Sequence, residues 1–593
     1  MIQKNINPIT RLDYPDPDII RVDNTYYMVS TTMYFMPGCE ILRSYDLVHW
    51  EHATFVYDRL DSTPAQRLEG KDNIYGQGMW AASLRYHEGI FYICFVANDT
   101  HKTYIYQSKD INGPWEKYTL EGFYHDNSII FDDDGRVFIV SGNKEIHIKE
   151  LKLVSKDLSG ITDDATSNIP TVLTDKVDGG LDMTIVQDSD DVYLGYEGAH
   201  FYKINGKYYL FFIHMPKSTG KRTEAVFVAD RPEGPYVGRD VMDDDRGYRG
   251  SGVAQGGIVE TPSGKWYSIL FQDSGAVGRI PVLMPVTWGN DGFPVFGNNG
   301  KIPEEFEIED LRPGYEYTPL VGSDDFKTTF CAAANISGAT CLEEISYEED
   351  SHEETISGES SLEEASSEKG ASVFIDLVDQ SRKPGSFGFR SCWQFNHEPD
   401  LSLVKRDLKK GTVTITTGKI CSNLVQAQNT LTQRTLFPGC SCSVKLDGSL
   451  LRDGDYAGLC ILESNYGLVG ITRKEGDYFL VMGKREITTG GFWGERHDDE
   501  PFEEVERIKL NSPVVTLSAS ICYDPSAVQT ANSINCIDDT AVFYYNEEQI
   551  GEPFKLKFML DHFTGARFGL FVYSTVEAGG SATFSNFVYI TKK

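Results

Sequence analysis

Five polar or aromatic side chains share one register of a repeating pattern. Asp16 lies 11 residues before Tyr27, and Trp80, Asp126, Glu197 and Gln255 lie 12 residues before Tyr92, Phe138, Tyr209 and Tyr267. Three of the five are carboxylates and one is an indole. Such a set suits cleavage of a glycosidic bond: one carboxylic acid protonates the departing oxygen while a carboxylate activates water or attacks the anomeric carbon. A third acid keeps the first protonated by like-charge repulsion, and an indole face packs on the apolar face of a sugar ring. The flanks DYPDPD (13–18), GMWAAS (78–83), HDNSII (125–130), YEGAHF (196–201) and VAQGG (253–257) leave space around each head. Taken singly, each residue has a plainer reading. Asp16 in P-D-P-D suits a turn, Asp132, Asp133 and Asp134 read as a hairpin turn, and Glu197 sits between apolar strands where burial without a partner is costly. The shared register sets Asp16, Asp126 and Glu197 apart.

The elements that must position these groups are hairpins. IIRVDNTYYMVS (19–30), SLRYHEGIFYICF (83–95), SIIFDDDGRVFIVS (128–141), FYKINGKYYLFF (201–212) and GIVETPSGKWYSILF (257–271) each join an apolar strand to an aromatic-rich one through a Gly, Asn or Asp turn. Spacings of 65, 46, 71 and 58 residues between the aromatic markers leave room for four-stranded sheets. Five such sheets arranged radially make a five-bladed β-propeller, whose inner strands start at one end of a central channel.

A chain of 593 residues exceeds a single core. The reading is all-β: a propeller over 1–320, an acidic Ser/Glu-rich insertion over 327–370 that cannot bury enough surface to order itself, and a β-sandwich over 371–593. TVTITTG (412–418), YAGLCILES (456–464) and ATFSNFVYI (582–590) are representative sandwich strands.

A net charge of −33 disfavours nucleic acid and anionic membrane as partners and leaves a neutral sugar unaffected. Eleven cysteines, an odd number without a C-x-x-C pair, and an N-terminus without an apolar stretch suggest a cytoplasmic protein. Neither a nucleophile elbow, a phosphate-binding loop nor metal-ligand histidine spacing occurs, so no metal site is expected.

The motifs Pro15-Asp16-Pro17, Trp80-Ala81, Asp126 before SIIFDDDG (128–135) and Glu197-Gly198-Ala199-His200 resemble glycoside hydrolase family 43. WQFNHEPD (393–400), LVQAQNTLTQR (424–434), DGDYAGLC (453–460) and GGFWGER (490–496) resemble the jelly-roll, concanavalin-like sandwich of its β-xylosidase and α-L-arabinofuranosidase branch. The resemblance implies Asp16 as general base, Glu197 as general acid and Asp126 as the residue that raises the proton affinity of Glu197 and orients it. It implies inversion, no required cofactor, and release of single pentoses from a pentose-containing oligosaccharide. Trp80 and Arg279 match sugar-contacting positions. Met33, with Tyr34 or Phe35, stands where relatives carry a pocket aromatic, and Phe492 or Trp493 would close the pocket from the sandwich. His200 counts with the pocket as a supporting group. Gln255 counts with the substrate-binding residues and replaces an axial histidine that relatives link to a structural calcium in the channel, which leaves that ion open; self-association into a homo-oligomer is open as well. The rival readings are an endo-acting arabinanase or galactan-directed hydrolase, and a non-catalytic carbohydrate-binding propeller.

Overall fold

The computed structural model describes residues 2–4, 6–156, 169–327, 374–375, 387–487, 500–523 and 539–591. Nearly all of the insertion at 327–370, together with Phe492 and Trp493, lies outside the described residues. Five consecutive antiparallel sheets form the blades. Their inner hairpins are Asp18–Val22 with Thr25–Ser30, Ser83–His87 with Ile90–Ala97, Ser128–Phe131 with Val137–Asn143, Val192–Ile204 with Lys207–Pro216, and Val253–Glu260 with Trp266–Asp273. The aromatic markers occupy matching rungs, each paired across its hairpin: Tyr27 with Ile20, Tyr92 with Arg85, Phe138 with Ile130, Tyr209 with Tyr202 and Tyr267 with Val259. Blade 3 carries an extra strand, Asp182–Gln187, on its third.

The ring closes by backbone proximity between the first and last blades. Gly257 donates its N–H to Pro17 O at 3.1 Å, and a Cβ there would meet Ile19 at 2.9 Å, so only glycine lets the two inner strands approach. Below the mouth, one buried polar network spans blades 1 to 4. Arg85 donates to Asp18 at 2.6 Å and to Ser128 Oγ at 2.6 Å, and His200 Nδ1 lies 3.1 Å from the other oxygen of Asp18. Burial would raise the Asp18 carboxyl, but Arg85 and His200 overcome it and hold the group at about 2.

The second half is a sandwich of an eight- and a seven-stranded antiparallel sheet. Val514–Cys522 alternates, its buried residues being Val515, Leu517, Ala519 and Ile521, whereas Arg567–Ser574 is buried throughout. The seam with the propeller is polar as well as apolar. Arg249 grips Asp539 at 2.6 and 3.0 Å, both side chains buried, and Arg434 pairs with Glu40 at 2.7 Å.

Removing one partner of a buried ion pair leaves the other charge uncompensated, at a cost of roughly 3–5 kcal/mol. Arg85→Met is therefore expected to lower the unfolding midpoint sharply, measured by thermal or denaturant unfolding. The lowered carboxyl of Asp18 gives the sign with pH: its stabilisation is present above the unfolded value of ~3.9 and is lost as pH falls towards about 2.

Candidate active site

Asp16 and Asp126 lie two residues before their inner strands, Asp18–Val22 and Ser128–Phe131, whereas Glu197 lies within the inner strand Val192–Ile204. Asp16, Asp126 and Gln255 adopt φ of +52°, +47° and +59°, and Glu197 is followed by Gly198 at +64°. Left-handed backbone at a non-glycine residue costs of order 1–3 kcal/mol and persists where the surroundings over-determine it. Three departures at one register show the blades imposing one geometry on the channel mouth.

Asp16 is held at both oxygens: Arg279 Nη1 donates to Oδ1 at 2.7 Å and Thr31 Oγ1 to Oδ2 at 2.8 Å. Burial raises its carboxyl above the usual range, Arg279 opposes the rise, and the charge of Asp126 adds to it. Asp126 accepts the N–H of Gly198 at 3.1 Å, which ties it to the residue next to Glu197. Burial pushes Asp126 upward too, opposed by His125 and reinforced by Glu197. Glu197 is the most accessible of the three, with 17% of its side chain exposed, and accepts a hydrogen bond from Asn143 Nδ2. His125 Nε2 lies 3.8 Å from Asp126 Oδ1 and 3.7 Å from Glu197 Oε2. Asp126 and then Glu197 raise that imidazole, against burial, to about 9. Arg222, bound to Asp273 at 2.5 Å, lies within the field of Glu197 and Asp16.

The walls come from both domains. Trp80 is partly exposed and packs on His125 and on Phe563 of the sandwich, with ring centroids 5.9 and 5.6 Å apart. The guanidinium of Arg279 lies 4.3 Å from the centre of the Phe563 ring, and its Nε and Nη2 are buried without a hydrogen-bond partner. Asp13 joins these pieces: its Oδ1 accepts the Arg279 N–H at 2.7 Å and its Oδ2 the Gly565 N–H at 2.8 Å.

Three expectations need correction. Met33, Tyr34 and Phe35 do not line the pocket: they are 2%, 0% and 1% exposed, in a cluster filled from the sandwich side, where Tyr34 bonds Thr564 and Arg567 covers Phe35. His200 is buried against Asp18 in the channel rather than at the mouth. Gln255, 4% exposed, lies over Gly198, where a Cβ would meet its side chain at 2.4 Å, while its N–H donates to Glu224. A channel calcium does not fit these residues. The ion takes about six to eight oxygens, whereas the Arg85 cation lies in the network and both oxygens of Asp18 already accept hydrogen bonds. Phe563, His125, Asn143 and Asp13 were not picked out by sequence, although His125 adjoins Asp126.

Residues 6–294 match the sequence pattern of Glycosyl hydrolases family 43, and residues 388–590 that of the Beta xylosidase C-terminal Concanavalin A-like domain. The chain belongs to glycosyl hydrolase family 43. It is 30% identical to a beta-xylosidase of Formosa agariphila over 54% of this chain and 56% of that one. It is 29% identical to a non-reducing end alpha-L-arabinofuranosidase of Bacteroides ovatus, over 54% and 58% of the two chains. The chain thus spans little more than half the length of either relative. Among solved structures, a bifunctional GH43-CE protein of Bacteroides eggerthii is 34% identical, with a TM-score of 0.76 over all of this chain and 64% of that one.

His125 is expected to keep its proton to about pH 9. Histidine ring NMR checks this, and in Asp126→Asn the same imidazole should titrate at lower pH, because the largest charge favouring its proton is gone.

Proposed function

We propose that this family 43 protein is an inverting exo-glycoside hydrolase that releases β-D-xylose, α-L-arabinofuranose or both from xylo-oligosaccharide or arabinoxylan fragments. The observation that carries the reading is the paired approach of Asp126 and Glu197 through Gly198 and His125, opposite an Asp16 locked by Arg279 and Thr31. Arg279 favours the ionised form of Asp16, as a base requires, and its contact with Thr31 fixes the direction from which water is activated. Asp126 orients Glu197 through its hydrogen bond to the N–H of Gly198. Trp80, Phe563 and the two unpartnered nitrogens of Arg279 form an apolar wall with hydrogen-bond donors beside it, which suits one sugar ring. Phe563 narrows the mouth from the sandwich, favouring attack at a chain end over an open cleft. The relatives' names support both pentoses. The eleven cysteines, eight of them described and outside any disulfide, support a reducing, cytoplasmic setting as part of this proposal.

The protein should release nitrophenol from p-nitrophenyl β-D-xyloside or α-L-arabinofuranoside. Asp16→Asn and Glu197→Ala should each lower turnover of unactivated oligosaccharides by about 10²- to 10⁴-fold. Proton NMR of the first-formed sugar should show the inverted anomer. Silence on both glycosides, or oligomers released from arabinan in place of single pentoses, would remove the reading.

A further inference from the structure

We propose that the Asn143 amide holds Oε2 of Glu197 by a hydrogen bond with the His125 ring beside the same oxygen, so that the proton delivered to the leaving group resides on Oε1. The inference rests on the hydrolase reading above and adds two positioning residues to it. Asn143 ends the second strand of blade 3, Val137–Asn143, and is exposed at the mouth, where its amide donates to Glu197 Oε2. His125 precedes Asp126 in the turn leading into the same blade, and its Nε2 stands 3.7 Å from that same oxygen. The acid on blade 4 is thus held by two residues of blade 3, on one side and at one atom.

An amide N–H and an imidazolium N–H offer protons only. An O–H on Oε2 would point a second proton at the Asn143 donor and towards the nearby imidazolium, whereas the contacts of Asn143 and His125 with Glu197 are both to Oε2. The carboxyl of Glu197 therefore keeps Oε2 as its acceptor oxygen and carries its hydrogen on Oε1. In the reaction, the Oε1–H bond breaks and that proton bonds the leaving oxygen as the anomeric C–O bond breaks. The water oxygen bonds the anomeric carbon and gives its proton to Asp16. Negative charge appears on Glu197 as the leaving group departs, and the imidazolium beside Oε2 stabilises it at that moment.

The charged groups facing His125 are Asp126 in its own turn, Glu197 from blade 4 and Asp16 from blade 1, while Trp80 offers a neutral ring from blade 2. Arg222 and Arg279 complete the charged set on the side of Asp16 and Glu197. His125 is thus the cation on the Asp126 side of Glu197. Its loss leaves two carboxylates sharing one proton without the group that separates them.

The test compares a substrate that needs protonation with one that does not. For wild type, Asn143→Ala and His125→Phe, kcat/KM is measured on xylobiose and on 2,4-dinitrophenyl β-D-xyloside, whose leaving group departs unprotonated, or on the matching arabinofuranosides if those react faster. Each variant should lose roughly 10- to 100-fold on the disaccharide and less than about 3-fold on the dinitrophenyl glycoside, the range expected of weakened general-acid catalysis. Equal losses on both substrates, or none on either, would overturn the proposal. Asn143 is exposed, so Asn143→Ala is a fair test even if His125→Phe unfolds. A wild type inactive on every glycoside would instead sink the hydrolase reading itself.

Discussion

The ion pair between Arg279 and Asp16 joins the three parts of this molecule at one point. It links the last blade to the first, where the propeller must close, and the same arginine lies against Phe563 of the sandwich. Asp13 takes the arginine's backbone N–H with one oxygen and the sandwich loop with the other. Ring closure, docking of the second domain and the direction of the base are thus one set of contacts. A change that loosens the seam will be felt at the carboxylate even where the propeller stays folded.

Left-handed backbone at Asp16, Asp126 and Gln255 is unfavourable in isolation, and the network beneath holds it. Asp18, two residues after Asp16, is fastened to Arg85, which in turn binds Ser128, two residues after Asp126. His200, three residues after Glu197, approaches Asp18 from blade 4. Each functional acid is therefore anchored a short distance along its own strand to the same buried cluster. Arg85 is the guanidinium that ties this cluster together, donating to Asp18 and Ser128.

The parts of the fold set by local chemistry were legible in the sequence. Turn residues between an apolar and an aromatic strand specify a hairpin wherever they occur, and the five marker aromatics pair at equivalent rungs because the alternation that revealed them is the alternation that buries them. The acids followed from the same register. Groups placed by long-range docking were not legible. Tyr34 and Phe35 read as pocket aromatics because they stand where the family resemblance places one, yet Thr564 and Arg567, more than 500 residues away, bury them. Phe563 carried no local signal, since an aromatic in a loop becomes a pocket wall only when the seam forms. Asn143 ends an ordinary strand, and its meaning comes from the neighbouring blade.

Around the mouth, Asp16, Asp126 and Glu197 are matched by Arg279, Arg222 and His125, although the whole chain carries −33. At physiological ionic strength distant surface charge is screened over ~8 Å, so this local balance governs the chemistry. On the proposed reaction one proton leaves Glu197 and another arrives at Asp16, so the site's total charge is unchanged while negative charge shifts from blade 1 to blade 4. Arg279 sits where that charge starts and His125 where it ends. Resetting the site then requires a proton to pass from Asp16 back to Glu197. Arg279 favours that return, because the cation that stabilises the base's ionised form also favours release of its proton.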